Sequence, residues 1–255
     1  MSELWKQLLI VCPLVFLAGF ADSVAGGGGI ISIPAYLFAG LPVHMAYGTN
    51  KFAMSLGTAV SAVKYYRSGN VRVKSVLFAV AGALLGSNLG ARLALCFSER
   101  YLQLILVFLL PAAAIFLSLN RGFGREDVER PAISKGREYA LSALIGLAVG
   151  AYDGFFGQGA GTSYTLLFVS LLHYSLLTAS GNARVVNLAS NVGALAAFIA
   201  GGKVMYTIAV PAAVCAVLGN YLGSSLAIKN GAKFIRPIMV LVIVLLIAKI
   251  LIDMF

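Results

Sequence analysis

Charged side chains are scarce in this sequence: they make up 11% of its 255 residues, and only nine residues are acidic. Soluble domains carry about a quarter charged residues, so the scarcity argues against a soluble protein. The three cysteines, Cys12, Cys96 and Cys215, have no paired spacing, which excludes a disulfide framework and a metal knuckle. HExxH, GxSxG and clustered carboxylates are also missing from the sequence. We therefore expect no enzyme, no cofactor and no metal site.

Hydrophobic residues are abundant instead, at 60% of the chain, and the mean hydropathy is +0.93. These values predict a polytopic integral membrane protein that is embedded in the lipid bilayer. The net charge of +10 does not indicate nucleic-acid binding, because the basic residues lie mainly in short loops between apolar runs. Unpaired strands are excluded from lipid, and no strand-like alternation occurs, so the predicted fold class is all-α.

The apolar runs differ in length, and about 20 helical residues are needed to cross a bilayer. Two short runs begin each half, at residues 8–21 and 30–41 and then at 139–152 and 162–177. We expect these short runs to be broken or re-entrant helices. The runs long enough to cross are 43–66, 73–95, 101–119, 178–201, 204–227 and 234–254. Each half therefore has four to five predicted membrane segments.

The two halves resemble each other in sequence. They align at a shift of 131 through the glycine stretch and at 133 after a two-residue insertion. The matches include Gly19/Gly150, Asp22/Asp153, Gly26/Gly157, Gly28/Gly159, Ala46/Ala179, Lys51/Arg184, Gly86/Gly219 and Gly90/Gly223. Internal repeats are typical of secondary transporters. We predict a first membrane repeat at 1–119, a cytoplasmic linker at 120–138 and a second membrane repeat at 139–255.

The orientation of the repeats depends on the short segments. If each short pair is a hairpin that enters and leaves on one face, the halves are inverted; if its first arm crosses, they are parallel. The distribution of basic residues does not discriminate between the two. The short lengths favour hairpin arms and hence inverted halves. In either arrangement, the linker and the loop at 64–74 should face the cytoplasm.

Glycine-rich stretches separate the short runs. Broken backbone at membrane depth is tolerated only where protein or a water-filled cavity surrounds it. Glycine exposes its N–H groups, and a helix that starts directly afterwards adds its positive end. Together these features predict an anion-binding site, although the same glycines could instead serve close helix packing. The stretches contain Gly26, Gly27, Gly28 and Gly29 in the first half and Gly157, Gly159 and Gly161 in the second.

Lys51 and Arg184 are the basic residues that lie well inside predicted membrane segments. A charge at the bilayer centre costs ~2.5–3.5 kcal/mol or more, so an interaction must offset it. One interpretation is that Lys51 and Arg184 neutralise an anionic substrate. The other is that each cation pairs permanently with Asp22 or Asp153. A carboxylate that releases its cation when substrate arrives could couple transport to protonation.

Several polar residues accompany the cations. Candidate hydrogen-bonding partners of a substrate are Thr49, Asn50, Gln158, Thr162 and Asn182. Asn187 and Asn191 lie on the helical face of Arg184 and could line a polar path or bond between helices. Gly82, Gly86 and Gly90 form a GxxxGxxxG face that predicts a packing seam.

Three motifs together resemble the toluene sulfonate uptake permease family, also called the TauE/SafE sulfite exporter family. They are the first glycine run with AYGTNK at 46–51, YDGFFGQGAG at 152–161 and GNARVVNLASN at 181–191. The YDGFFG form is similar to the YfcA-like branch. The resemblance implies a multi-pass transporter of the bacterial inner membrane with duplicated halves. Relatives are associated with sulfite, sulfonates, sulfoacetate and related sulfur-containing organic anions.

From these features we expect a secondary transporter of a small anion that works by alternating access. A passive anion channel is the alternative, and a scaffold whose glycine stretches bind nothing is a third. Nucleotide-binding motifs are missing, so any coupling would be to a proton or ion gradient. The sequence leaves homo-oligomer formation open.

Overall fold

The computed structural model describes residues 3–98 and 133–254, and within those ranges every regular element is a helix. The predicted span at 101–119 and most of the predicted linker lie outside the described residues. The helices are α1 Glu3–Ala25, α2 Gly28–Phe38, α3 Val43–Arg67, α4 Val73–Cys96, α5 Lys135–Phe155, α6 Ala160–Leu172, α7 Leu176–Ala200, α8 Tyr206–Asn230 and α9 Ala232–Met254.

The prediction that the first segment of each half is short was wrong. Helix α1 has 23 residues and α5 has 21, because each helix continues through polar residues beyond its apolar run. Backbone hydrogen bonds within a helix do not require apolar side chains, so an apolar run underestimates helix length. By length and composition, α1, α4, α7 and α8 are candidate membrane spans among the described helices.

The second segment of each half is short, as predicted: α2 has 11 residues and α6 has 13. Each short helix runs back along the helix before it. The Gln7 side chain donates to the carbonyl of Ala39 at 3.0 Å, which joins the start of α1 to the end of α2. Tyr174, just after α6, donates to Glu138 near the start of α5. Both pairs therefore form hairpins whose two ends lie on one side.

Glycine seams join α4 to α5 and α1 to α8. At each seam a methyl group added to the glycine would collide with a backbone carbonyl oxygen, so only glycine permits this close approach. The contacts are Gly82–Ala143, Gly86–Leu147, Gly90–Ala151, Gly219–Phe16 and Gly223–Phe20. The predicted packing role of the GxxxGxxxG face is confirmed.

The contacts also define helix directions. Residue numbers rise together across both glycine seams, so α4 runs parallel to α5 and α1 runs parallel to α8. Helix α3 is parallel to α8, because Phe52 packs on Tyr206 and Lys64 lies over the ring of Tyr221.

The directions of α4 and α7 follow from two further contacts. Asn88 donates to the carbonyl of Gly193, and Leu95 lies beside Gly201, so these two helices are parallel. Across the centre, numbers rise on α3 as they fall on α7, from Lys51–Asn191 to Tyr65–Gly181. Helices α1, α3 and α8 therefore run one way, and α4, α5 and α7 run the other way.

The outer surface is apolar. On α4, Leu85, Leu89 and Leu93 are more than half exposed and form one stripe along the helix. On α8, Val210, Val214 and Leu218 repeat the pattern. Large apolar side chains turned outward, with small ones inside, are expected where the surrounding solvent is lipid.

Basic residues are concentrated at one end of the bundle, where α3 and α8 end and α4, α5 and α9 begin. We call this the basic end; its members are Lys64, Arg67, Arg72, Lys74, Lys135, Arg137, Lys229, Lys233 and Arg236. At the opposite end the described part of the chain has Lys6, Arg92, Lys203 and Lys249. Such an asymmetry is typical of a protein whose basic end faces the cytoplasm.

Candidate functional site

Two buried ion pairs lie at the centre of the molecule, and each joins one half of the chain to the other. Lys51 Nζ is 2.7 Å from Asp153 Oδ2, and Arg184 Nη1 is 3.3 Å from Asp22 Oδ1. The four side chains are at most 4% exposed. A charge in this position must be offset by a partner, and each of the two cations is paired with a carboxylate.

The pairs lie at membrane depth. Lys51 is eight residues after the first residue of α3, and Arg184 is eight residues after the first residue of α7. At 1.5 Å per residue, each cation is therefore ~12 Å along a helix of about 37 Å. Because α3 and α7 are antiparallel, the two cations are approached from opposite ends, Lys51 from the end opposite the basic end and Arg184 from the basic end.

Thr58 and Asn191 connect the two ion pairs. Lys51 Nζ donates to Asn191 Oδ1 at 3.0 Å, and the Asn191 amide nitrogen is 3.5 Å from Thr58 Oγ1. Thr58 in turn donates to Asp22 Oδ2 at 3.4 Å. Hydrogen bonds thus run without interruption from one ion pair to the other, through the interior.

The two carboxylates are held unequally. Asp153 accepts from Lys51 and also from the Ser190 hydroxyl, both through Oδ2. The Asp22 carboxylate lies 3.3 Å from Arg184 Nη1 and accepts a longer hydrogen bond, at 3.4 Å, from Thr58, while Arg184 Nη1 donates to the backbone carbonyl of Asp22. The Lys51–Asp153 pair is therefore the more tightly bound of the two.

The glycine stretches of the two halves touch each other. Gly26 packs against Gly161 and the backbone nitrogen of Thr162, and Gly29 packs against the carbonyl of Gly157. The Thr162 hydroxyl donates to the carbonyl of Ala25 at 2.7 Å, across the same junction. Gly26 has a φ of 87°, which favours glycine, and a methyl group there would collide with backbone atoms. The chain breaks therefore lie against each other beside the ion pairs.

Both short helices begin at this junction. Helices α2 and α6 start at Gly28 and Ala160, and neither N-terminus has a side-chain cap. Their first backbone N–H groups and their helix dipoles give a positive potential. Gly26 and Gly161 lie close to Arg184 Nη2: a methyl group added to Gly26 would be 2.6 Å from it, and one added to Gly161 would be 2.7 Å from it. A guanidinium and two positive helix ends thus share one location.

Several of the predicted residues are buried at this centre. Besides the four charged side chains and the glycines, Asn50, Gln158, Asn187 and Asn191 are at most 4% exposed. Among the residues that the structure describes, some buried atoms have no hydrogen-bond partner. They include Asn50 Oδ1, Ser180 Oγ, Arg184 Nε and Arg184 Nη2.

Two predicted residues bond away from the ion pairs. Thr49 Oγ1 accepts from the backbone nitrogen of Met205 at 3.1 Å, at the α7–α8 connection. Asn182 accepts from the backbone nitrogen of Arg72 at 3.2 Å, at the α3–α4 connection, and donates to Thr178. Both bonds support loops that close the ends of the bundle.

Sequence reasoning missed Thr58 and Ser190, which bond to Asp22 and Asp153. The signal for Thr58 was present, because it aligns with Asn191 at the shift of 133. Neither is charged, and hydroxyl residues are common in membrane helices, where many bond their own backbone. Contact with a carboxylate from a distant helix is what distinguishes these two.

Helices of membrane length, an apolar surface and a charged interior define a polytopic membrane protein of the transporter class. A match to the family described as "Sulfite exporter TauE/SafE" extends over residues 11–250. The chain belongs to this family, and it is a multi-pass membrane transporter protein of the bacterial inner membrane type.

Relatives of similar length support this assignment. A "Probable membrane transporter protein ORF9" of Sinorhizobium sp is 37% identical over 93% of this chain and 90% of its own length. The "Probable membrane transporter protein YfcA" of Escherichia coli K12 is 36% identical over 98% and 95%. A "Probable membrane transporter protein" of Haemophilus influenzae is 35% identical over 96% and 95%. No solved structure matches the chain.

Proposed function

We propose that the protein is a secondary transporter of small anions, such as sulfite, sulfonates or other sulfur-containing organic anions. The observation that carries the proposal is the central junction. Two cations at membrane depth adjoin two chain breaks, and two positive helix ends meet there. The description of the family as a sulfite exporter agrees with an oxyanion as substrate.

We further propose that the two halves are inverted repeats. The central contacts support this: the shifts of 131 and 133 turn Lys51–Asp153 into Arg184–Asp22, and Gly86–Leu147 into Gly219–Phe16. Such an exchange of partners is expected of two units related by a two-fold axis. Helix α1 also runs opposite to its counterpart α5, so the axis lies in the membrane plane.

Inverted repeats suit alternating access. Each half contributes one hairpin and one cation, and the two halves meet at the site. Movement of one unit against the other would open the junction toward one side and then toward the other, around a fixed site. Because the four charges sum to zero, a bound anion would leave the centre negative unless a proton or another cation accompanies it.

The topology gives a direct prediction. Basic loops remain in the cytoplasm, so both chain termini are expected outside it. A phosphatase fused to either terminus should be active in cells, and a fluorescent protein that folds only in the cytoplasm should be dark. As the matched control, a Ser68→Cys variant that lacks Cys12, Cys96 and Cys215 should not be labelled by a membrane-impermeant thiol reagent, because Ser68 lies at the basic end. Fluorescent fusions at both termini would contradict the inverted arrangement.

Transport itself is tested in proteoliposomes that contain the purified protein. We expect uptake of sulfite or sulfoacetate to saturate with concentration and to respond to an imposed pH gradient. Empty liposomes and liposomes with an unrelated membrane protein serve as controls. Flux that rises linearly with concentration and ignores other ion gradients would favour the passive channel. Absence of any anion flux, together with absence of anion binding, would refute the proposed function.

A further inference from the structure

We infer that the two central cations have different roles: Arg184 binds the substrate oxyanion through the free edge formed by Nε and Nη2, and Lys51 holds the junction together. This inference rests on the proposed function and makes it more specific. It assigns the site to anions that offer two oxygens side by side, such as carboxylates, sulfite and sulfonates.

The hydrogen-bond donors of the two cations are used to different extents. An ammonium has three N–H donors, and two of those on Lys51 bond to Asp153 at 2.7 Å and Asn191 at 3.0 Å. A guanidinium has five. On Arg184, Nη1 contacts the side chain and carbonyl of Asp22, whereas Nε and Nη2 have no partner among the described residues.

Burial makes these unused donors significant. The Arg184 side chain is 0% exposed, so water does not compensate for the missing bonds. A buried polar group without a partner costs ~1–3 kcal/mol, and more when it is charged. Such a group in a native protein calls for an explanation, and a ligand that arrives during the working cycle is one.

The shape of the free edge selects the ligand. Nε–H and one N–H of Nη2 point in parallel from the same side of the planar guanidinium. Two oxygens of a carboxylate or sulfonate accept both hydrogens at once, as in a bidentate ion pair. A lysine ammonium is a point charge without this geometry. A halide offers one centre and gains less from the paired donors.

The surroundings of the edge also favour an anion. Gly26 and Gly161 lie against Nη2, and because neither has a side chain, the backbone of both chain breaks comes close to the guanidinium. The uncapped start of α6 lies there, with the N–H of Thr162 beside Gly26. Among the described residues, Asp22 is the carboxylate that pairs with Arg184, and it offsets one unit of charge while two positive helix ends remain.

Lys51 lies in a different environment. Its main partner, Asp153, is itself held by Ser190, and the pair joins α3 to α5 and, through Asn191, to α7. A lysine whose bonds are largely occupied has little capacity left for a substrate. Its role is to bind the two halves to each other at the junction.

The test compares two variants that separate charge from geometry. Arg184→Lys keeps the charge and removes the planar edge, whereas Lys51→Met with Asp153→Leu removes the other pair as a neutral unit. Methanesulfonate and chloride are the probes, and calorimetry on the purified full-length protein gives their affinities. Because a site built for paired hydrogen bonds rejects ligands that lack them, the wild type should prefer methanesulfonate by at least ~10-fold.

We expect Arg184→Lys to reduce this preference to less than ~3-fold, and the double variant to keep it, because only the former loses the paired donors. A wild type that binds both anions equally, or an Arg184→Lys variant that keeps the preference, would overturn the inference while leaving anion transport intact. If Arg184→Lys does not fold, the wild-type preference decides alone. A wild type that neither binds nor transports any oxyanion refutes the proposed function instead.

Discussion

Substitution of Gly26 by alanine is expected to abolish transport and to destabilise the protein by ~3 kcal/mol or more. The backbone φ of 87° at this position strains any residue with a Cβ. The added methyl group would also collide with the backbone of Gly161 and Thr162, and it would lie 2.6 Å from Arg184 Nη2. Backbone atoms cannot move aside without separating the two chain breaks, so the site itself would be displaced.

Gly40→Ala is the matched control, because it separates strain from collision. Gly40 has nearly the same φ, 83°, and an added methyl group there meets nothing within 4 Å. We expect this variant to lose only ~1–2 kcal/mol, the cost of the left-handed conformation, and to transport normally. Both variants can be compared by equilibrium unfolding in mixed micelles and by uptake into proteoliposomes. Equal behaviour of the two would show that contact between the glycine stretches is unimportant.

Removal of one partner of the Lys51–Asp153 pair is expected to have the second large effect. Asp153→Ala leaves the Lys51 ammonium buried with Asn191 as its remaining partner, and breaking a buried pair in this way costs ~3–5 kcal/mol. Replacement of both partners, by Lys51→Met with Asp153→Leu, removes the charge and keeps the volume. The double variant should recover most of the lost stability.

The measurement is the free energy of unfolding of the wild type, of Asp153→Ala, of Lys51→Met, of Asp153→Leu and of the double variant. A coupling energy of several kcal/mol between the two positions would support direct pairing across the halves. If Asp153→Ala unfolds like the wild type, another group must offset the buried charge of Lys51, and the Lys51–Asp153 pair would not hold the junction together. Arg92→Ala, a variant at a basic residue outside the centre, is the control for general effects of charge removal.

The sequence predicted the second segment of each half well and the first poorly. Helices α2 and α6 are short because glycines precede them and turns follow, and both signals are local. Helix α1 extends to Glu3 and Ala25 because its polar ends still form backbone hydrogen bonds, which an apolar run does not register. The cost of charge in lipid singled out Lys51 and Arg184, and both lie at the centre.

Other features of the site depend on contacts that no local pattern encodes. Thr58 and Ser190 have ordinary sequence surroundings, and their contacts with Asp22 and Asp153 depend on how α3 packs beside α1 and α7 beside α5. Thr49 and Asn182 were expected at the substrate. Their bonds to the backbone of Met205 and Arg72 reflect the rotation of α3 and α7, which neighbouring helices set.

The sequence by itself determined that this chain enters a membrane, that it is helical, and that it carries charged residues, Lys51 and Arg184, inside its membrane segments. These properties follow from the local solvation of each segment, because lipid leaves the backbone no partner except itself. Only the tertiary structure decided which acid meets which cation. Lys51 and Asp153 are 102 positions apart, and Asp22 and Arg184 are 162 apart. Packing of the two halves brings them together, and within the described part of the chain the same packing leaves one edge of Arg184 without a partner.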